Sequence, residues 1–310
     1  MATEKNSLTL AILFHNNEKF LGSLLESILA QEDKSFSILA LNNGSTDSSS
    51  EIMHKYTKRL KANSLSLEFL SSNDNLGEAI GLNKLASTCK TDYISIIHGD
   101  DLLRDDYTKV MNQAIIKQDF LDLMSPTLMQ IDENGLEGGM LIPKWSRISW
   151  VNYFMASFGN PGLMPGALFS TKALLSCSKV TKELSGLLFN ADSVIWHRMV
   201  LGRPQIAVVS SAIYFYRRTI EQSSSSSLNS KMLARARFIK LTNAPTAINK
   251  WIVRLGSMFD LDFLESQEEY FYFLSKKGVH PISKAQGKLL KLIYIILQIF
   301  APKAIRIFRS

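Results

Sequence analysis

A chain of 310 residues, 46% hydrophobic and 20% charged, is ordinary for a globular protein and long enough for one large domain with an appendage. Its two cysteines, Cys89 and Cys177, lie far apart without metal-type spacing, which excludes a disulfide framework and points to a reducing compartment. The net charge of +7 gathers at the end: from Lys276 onward there are eight Lys or Arg and no Asp or Glu, so the body is near neutral and does not read as a nucleic-acid binder.

The opening MATEKNSLTL lacks the basic start and long apolar core of a signal peptide, and no run approaches the roughly 20 apolar residues of a spanning helix. Residues 8–14 (LTLAILF) predict a strand, and Phe20, Leu21, Leu24, Leu25 and Ile28 then recur at helical spacing. Residues 36–41 predict a second strand ending at NNGSTD, 48–60 a helix capped by Ser or Asp, and 65–70 a third strand followed by the turn NDNLG. Residues 79–87 predict a helix and 93–97 a fourth strand, which ends at HGDD. This alternation argues for a doubly wound, mostly parallel sheet, in which ligands collect at the carboxyl ends of strands. The polar clusters HNNE, NNGSTD and HGDD sit at such ends. Each alone reads as a solvated turn; their repetition argues for a site.

Beyond residue 105 the pattern is less regular. Residues 106–117 predict a helix and 121–129 a strand, followed by the turn DENG. The mixture of Trp, Gly, Pro and Met over 145–185 suits a pocket wall better than a regular element. Residues 191–201 predict a helix and 205–216 a strand; five serines after Gln222 predict a mobile loop, with further helices over 231–239 and 251–274.

The order of these pieces resembles family 2 glycosyltransferases of the GT-A fold. The residues that carry the resemblance are HNNEKFLGSLLESILAQ (15–31), LNNGSTDSS (41–49), NDNLGEAIGLNK (73–84), HGDD (98–101), NADSVIWHR (190–198) and YRR (216–218). The resemblance is strong over the first 105 residues and patchy to 222. It implies an α/β, GT-A-like doubly wound, mostly parallel sheet flanked by helices, with a C-terminal helical extension. Residues 1–222 would form the transferase domain, with 1–105 as nucleotide-binding half and 106–222 as acceptor half; 223–310 would be a helical region with a basic amphipathic tail. It also implies inverting transfer of a sugar from a nucleotide-sugar donor to a saccharide acceptor.

The departing diphosphate gathers negative charge, which a hard divalent cation on oxygen ligands, Mg2+ or Mn2+, neutralises. By the resemblance Asp100 reaches metal and nucleotide, with Asp101 as second ligand; a bare surface turn is the competing reading. His98 stands where the family often has Asp. Asn43 and Gly44 would cradle the nucleoside, Asn43 replacing the family's usual Asp; its amide still pairs with a base edge, and which base stays open. Asn16 and Glu18 either cap the first helix or border the nucleotide, Asn75 is a further nucleotide candidate, and Asp47 reads as a cap with Ser48. Asp192 matches the family's catalytic base, with Ala191 in place of an acidic neighbour; a helix-capping role is compatible with that. Trp196 is expected in the core or a pocket wall. Arg217 and Arg218 are diphosphate candidates, or else solvent-facing arginines at a strand end.

Residues 289–300 are strongly apolar, too short to span, and flanked by Lys and Arg. They predict a segment lying on an anionic membrane, against a buried helix or an oligomer contact. The expected protein is a cytoplasmic enzyme, peripheral on the inner face of the cell membrane, serving a lipid-linked acceptor in bacterial surface polysaccharide (O-antigen or capsule) synthesis. Two alternatives stand beside it. A nucleotidyltransferase calls for a Gly-rich basic loop after the first strand, which HNNEKF does not supply. A non-catalytic nucleotide- or carbohydrate-binding protein fits the replacements at Asn43, His98 and Ala191.

Overall fold

The computed structural model describes residues 7–117, 121–143, 145, 156, 164–181, 184–187, 191–219, 236, 239–240, 243–244 and 305–307. Its first half alternates strand and helix as the sequence predicts: β1 (Leu8–Phe14), α1 (Leu21–Leu29), β2 (Ser37–Asn43), α2 (Ser49–Ala62), β3 (Ser66–Ser72), α3 (Glu78–Thr88) and β4 (Tyr93–His98). Leu8, Leu10, Ile12 and Phe14 of β1 pack with α1, α2 and the later helix α4 (Tyr107–Lys117), whereas Ala11 joins the opposite layer with Leu82, Leu85 and Ala86 of α3. A strand covered on both faces reads as a continuous apolar run, which is why LTLAILF shows no polar alternation.

The strands β1–β4 are parallel, with β1 between β2 and β4. The chain order therefore reverses at β1, and the crevice outside the carboxyl ends of β1 and β4 is where such sheets bind ligands. Register brings the clusters together: Leu13 pairs with His98, and Phe14 with Asn42.

The second half adds β5 (Leu102–Leu103), β6 (Leu123–Ile131), β7 (Glu137–Leu141), β8 (Leu168–Ser170), α5 (Thr171–Cys177), a 3-10 turn at Leu184–Gly186, α6 (Ala191–Leu201), β9 (Ile206–Arg217) and β10 (Ile305–Ile307). Among the described residues the sheet has ten strands, in the path β10-β9-β6-β8-β4-β1-β2-β3, with β5 pairing β9 and β7 pairing β6.

Two expectations are corrected. Within 145–185, expected to be irregular, β8 lies antiparallel between β4 and β6 and leads into α5, whose start is capped by Ser170 Oγ accepting the Ala173 N–H at 3.1 Å. In the tail, Ile305–Ile307 is not helical but runs parallel to Ala207–Val209, as suits alternating β-branched Ile around an Arg. The serine run, most of 223–310 and the apolar stretch 289–300 lie outside the described residues. Ala236, Ile239 and Ala244 are described and buried, the first two against Leu184, Leu187, Ala191, Val194 and Ala79. Trp196 is core: it is fully buried, edge-on to Trp145 at 5.4 Å and stacked on Phe169 at 5.2 Å.

Candidate active site

The loop after β1 is bolted to the loop after β2. Asn16 sits in the left-handed region (φ 52°), its N–H donates to Ser45 Oγ at 3.0 Å, and its Oδ1 accepts the Thr46 N–H at 2.8 Å. Glu18 and Asp47 are reciprocal: the Glu18 N–H donates to Asp47 Oδ2 at 2.9 Å, and Glu18 Oε2 accepts the Ser48 N–H at 2.9 Å. Asp47 Oδ1 also accepts the Ser49 N–H at 3.0 Å, so these carboxylates satisfy the open amides at the start of α2. Asn16 and Glu18 thus frame the crevice through its backbone.

The buried Asn43 is likewise spent within the protein. Its Nδ2 donates to Asn75 Oδ1 at 3.2 Å and to the Gly77 carbonyl at 3.4 Å, while its Oδ1 accepts the Leu76 N–H at 3.1 Å. Asn75 Oδ1 also accepts the Gly77 N–H at 2.9 Å. Gly44, at φ 75°, lies against this turn so closely that a Cβ would stand 2.3 Å from the Asp74 carbonyl carbon. Asn43, Gly44 and Asn75 together form one rigid floor.

In HGDD the two carboxylates have different surroundings. Gly99 lets the turn lie flat on Phe14 and Asn17; a Cβ there would fall 2.6 Å from Phe14 Cβ. Asp101 is fully buried, with Oδ2 accepting from the Tyr214 hydroxyl at 2.8 Å and Oδ1 from the Arg217 N–H at 2.8 Å. Burial, then the neighbouring Asp100 charge, push the Asp101 pKa well up despite those two donors. Arg217 is also buried: its Nε donates to the Asp100 carbonyl at 2.7 Å, its Nη1 to the carbonyls of Asp132 (2.7 Å) and Glu133 (3.0 Å), and its guanidinium lies over Phe20 at 4.5 Å. Arg218 is exposed.

His98, Asp100 and Asp101 offer ligand atoms all within 4.8 Å of one another. Burial lowers the His98 pKa, opposed by the charges of Asp100 and Asp192, and a neutral imidazole is the form that ligates. Carboxylates suit hard divalent ions such as Mg2+ and Mn2+, and a neutral imidazole adds a nitrogen donor that first-row transition ions accept. These residues therefore fit a divalent cation, with Asp100 the carboxylate that protein hydrogen bonds engage less.

Asp192 lies in the first turn of α6, and His98 senses its charge together with that of Asp100. One further acid belongs to this cluster. Glu78, the first residue of α3, accepts the Ala191 N–H at Oε2, 2.9 Å away. Burial and the Asp192 charge push its pKa up to about 8. Sequence reading passes over Glu78; its only signal is an acid at a helix start, and its partner is 113 residues distant.

Residues 9–166, just over half of the chain, match the family described as Glycosyl transferase family 2. The chain belongs to that family. The chain is 31% identical over 98 residues to a teichoic acid poly(glycerol phosphate) polymerase of Staphylococcus epidermidis, a match covering 32% of this chain and only 13% of that protein. Its fold resembles S. aureus TarS 1-349 in complex with UDP-GlcNAc, with a TM-score of 0.59 at 18% identity over 86% of this chain and 73% of that one. It also resembles the mannosyltransferase PcManGT from Pyrobaculum calidifontis in complex with GDP-Man and Mn2+, with a TM-score of 0.53 at 11% identity over 94% and 80% of the two chains. The fold is thus that of the GT-A glycosyltransferases.

Proposed function

We propose that this glycosyltransferase is an inverting, metal-assisted enzyme. It moves one sugar from a nucleotide-sugar donor to a saccharide acceptor, lipid-linked, in bacterial surface polysaccharide (O-antigen or capsule) synthesis. The observation that carries the reading is the gathering of His98, Asp100 and Asp101 ligand atoms within 4.8 Å of one another at the carboxyl end of β4, with the charge of Asp192 also acting on His98.

Asp100 and His98 would hold a divalent cation, which when bound supplies neutralising charge for the departing diphosphate. Asp101 and Arg217 keep the strand ends in place that present Asp100. Arg217, expected from the sequence to contact the diphosphate, has its guanidinium engaged by three backbone carbonyls; we assign it to positioning and give the diphosphate contact to the exposed Arg218. The Asn43–Asn75 floor borders the nucleoside. Asp192 takes the proton of the acceptor hydroxyl as its oxygen attacks the anomeric carbon opposite the diphosphate, and one such displacement inverts the centre. The UDP-GlcNAc and the GDP-Man with Mn2+ named for the two structural neighbours, and the teichoic acid polymer named for the sequence relative, support this substrate class.

Among the described residues no helix is long and apolar enough to cross a membrane. We place the enzyme on the cytoplasmic face, held peripherally by residues 284–310; flotation with anionic liposomes that is unchanged by their deletion contradicts this. The transfer itself is tested by NMR of the product formed from UDP-GlcNAc or GDP-mannose with Mn2+. An anomeric configuration opposite to the donor's supports the reading, and retention ends it.

A further inference from the structure

We propose that Glu78 is a positioning residue that ties the base Asp192 to the floor of the nucleoside cradle; the proposal rests on the reading of Asp192 as the base. Glu78 follows Gly77 directly. The Gly77 carbonyl accepts from Asn43 Nδ2 at 3.4 Å and its N–H donates to Asn75 Oδ1 at 2.9 Å, so the start of α3 is pinned to the end of β2. On its other side, Glu78 Oε2 accepts the N–H of Ala191, the first residue of α6. An open amide of one helix is thus satisfied by a carboxylate from another, and Asp192 is the next residue along.

Two carboxylates at one helix start are each favoured by its amides and repel each other. The conflict is resolved when Glu78 keeps a proton, which its pKa of about 8 provides near neutral pH, leaving the charge on Asp192. Behind the pair, Ala79, Ala191 and Val194 pack with Leu184, Leu187, Ala236 and Ile239. This apolar wall leaves Glu78 no competing solvent on that side, so its oxygen fixes the first turn of α6 against the first turn of α3. The base is then set by the same turn that frames the nucleoside.

The test is hydrolysis of UDP-GlcNAc and GDP-mannose with Mn2+, water standing in for the acceptor, in Glu78→Ala, Glu78→Gln, Asp192→Asn and the double variant. Glu78→Ala is expected to lower kcat about tenfold or more with donor KM changed less than about twofold. Glu78→Gln keeps the acceptor oxygen and resembles the protonated acid, so it stays within about threefold of the parent. In the Asp192→Asn background, Glu78→Ala has no further effect, since residues acting through one another are not additive. Parental kcat in Glu78→Ala, or a full additional loss in the double variant, overturns the proposal. Should Glu78→Ala not fold, Glu78→Gln is compared with Glu78→Asp, which is one methylene too short to reach the amide. Activity in Gln above Asp supports the role, and equal or reversed order overturns it. An Asp192→Asn variant at the parental rate brings down the base assignment itself, whereas an inactive Asp192→Asn beside a fully active Glu78→Ala brings down only the role of Glu78.

Discussion

The backbone N–H of Arg217 donates to Asp101 Oδ1 at 2.8 Å, joining the turn after β4 to the last residue of β9. The Tyr214 hydroxyl completes the joint: it donates to Asp101 Oδ2 and accepts the His98 N–H at 3.2 Å. Asp101 therefore anchors the turn that presents Asp100. Asp101→Ala leaves two buried donors without acceptors and is expected to cost about 2–4 kcal/mol, against about 1 kcal/mol for Tyr214→Phe. Urea denaturation checks the order; equal stability of Asp101→Ala and the parent contradicts it.

Asp100→Ala should separate from Asp101→Ala. Asp100 is half-buried, and the anchoring side-chain hydrogen bonds of this turn belong to Asp101, so the melting temperature is expected to stay within a few degrees of the parent, while sugar transfer falls by about 100-fold or more through loss of charge stabilisation. Kinetics and thermal melts on the same preparation decide this.

Arg217 and Arg218 are adjacent in sequence and opposite in consequence. Arg217→Ala strips hydrogen bonds from three carbonyls and is expected to destabilise by about 2–3 kcal/mol. Arg218→Ala should leave stability within about 0.5 kcal/mol and raise the donor KM. A Arg217→Ala variant of parental stability with a raised KM returns the diphosphate contact to Arg217.

The contrast shows what sequence reading reaches. Apolar runs and helical spacing located β1–β4 and α1–α4, because a sheet covered on both faces imposes these patterns locally, and α6 appears at Ala191–Leu201 as its periodicity predicts. β5 has two residues, and β8 and α5 sit inside a Gly- and Pro-rich stretch, so neither is long enough to show a period. The clusters that form the crevice were legible because they fall at strand ends. The roles within them were not: Asp101, Arg217 and Glu78 take their functions from partners more than 80 residues away, and spacing carries no record of those contacts.

Gly44→Ala is expected to weaken both fold and donor binding. The φ of 75° and the 2.3 Å approach to Asp74 force the Asn43–Asn75 turn to move, a cost of about 2 kcal/mol or more. Unchanged urea midpoint and unchanged nucleotide affinity contradict the rigid floor.

Glu78 links stability to pH. Its carboxyl has an ordinary pKa of 4.5 and reaches about 8 in the fold. Across that window the native chain holds a proton that the unfolded chain has released, so stability falls as pH rises from about 4.5 to about 8. Allowing for the partial exposure of the pair, the loss is on the order of 2 kcal/mol. Glu78→Gln should flatten this part of the profile. Urea midpoints collected across the window check it, and equal slopes in the two proteins contradict the proton on Glu78.

The proposed role of Asp100 is to hold, with a divalent cation, the diphosphate of a nucleotide sugar. The most direct measurement is a thermal-shift screen of UDP-, GDP-, dTDP- and CMP-sugars, each with and without Mn2+, on the parent and on Asp100→Ala. Stabilisation by one nucleotide class that requires Mn2+ and disappears in Asp100→Ala is the expected result. No shift with any donor, or a shift of equal size without metal or without Asp100, would contradict it.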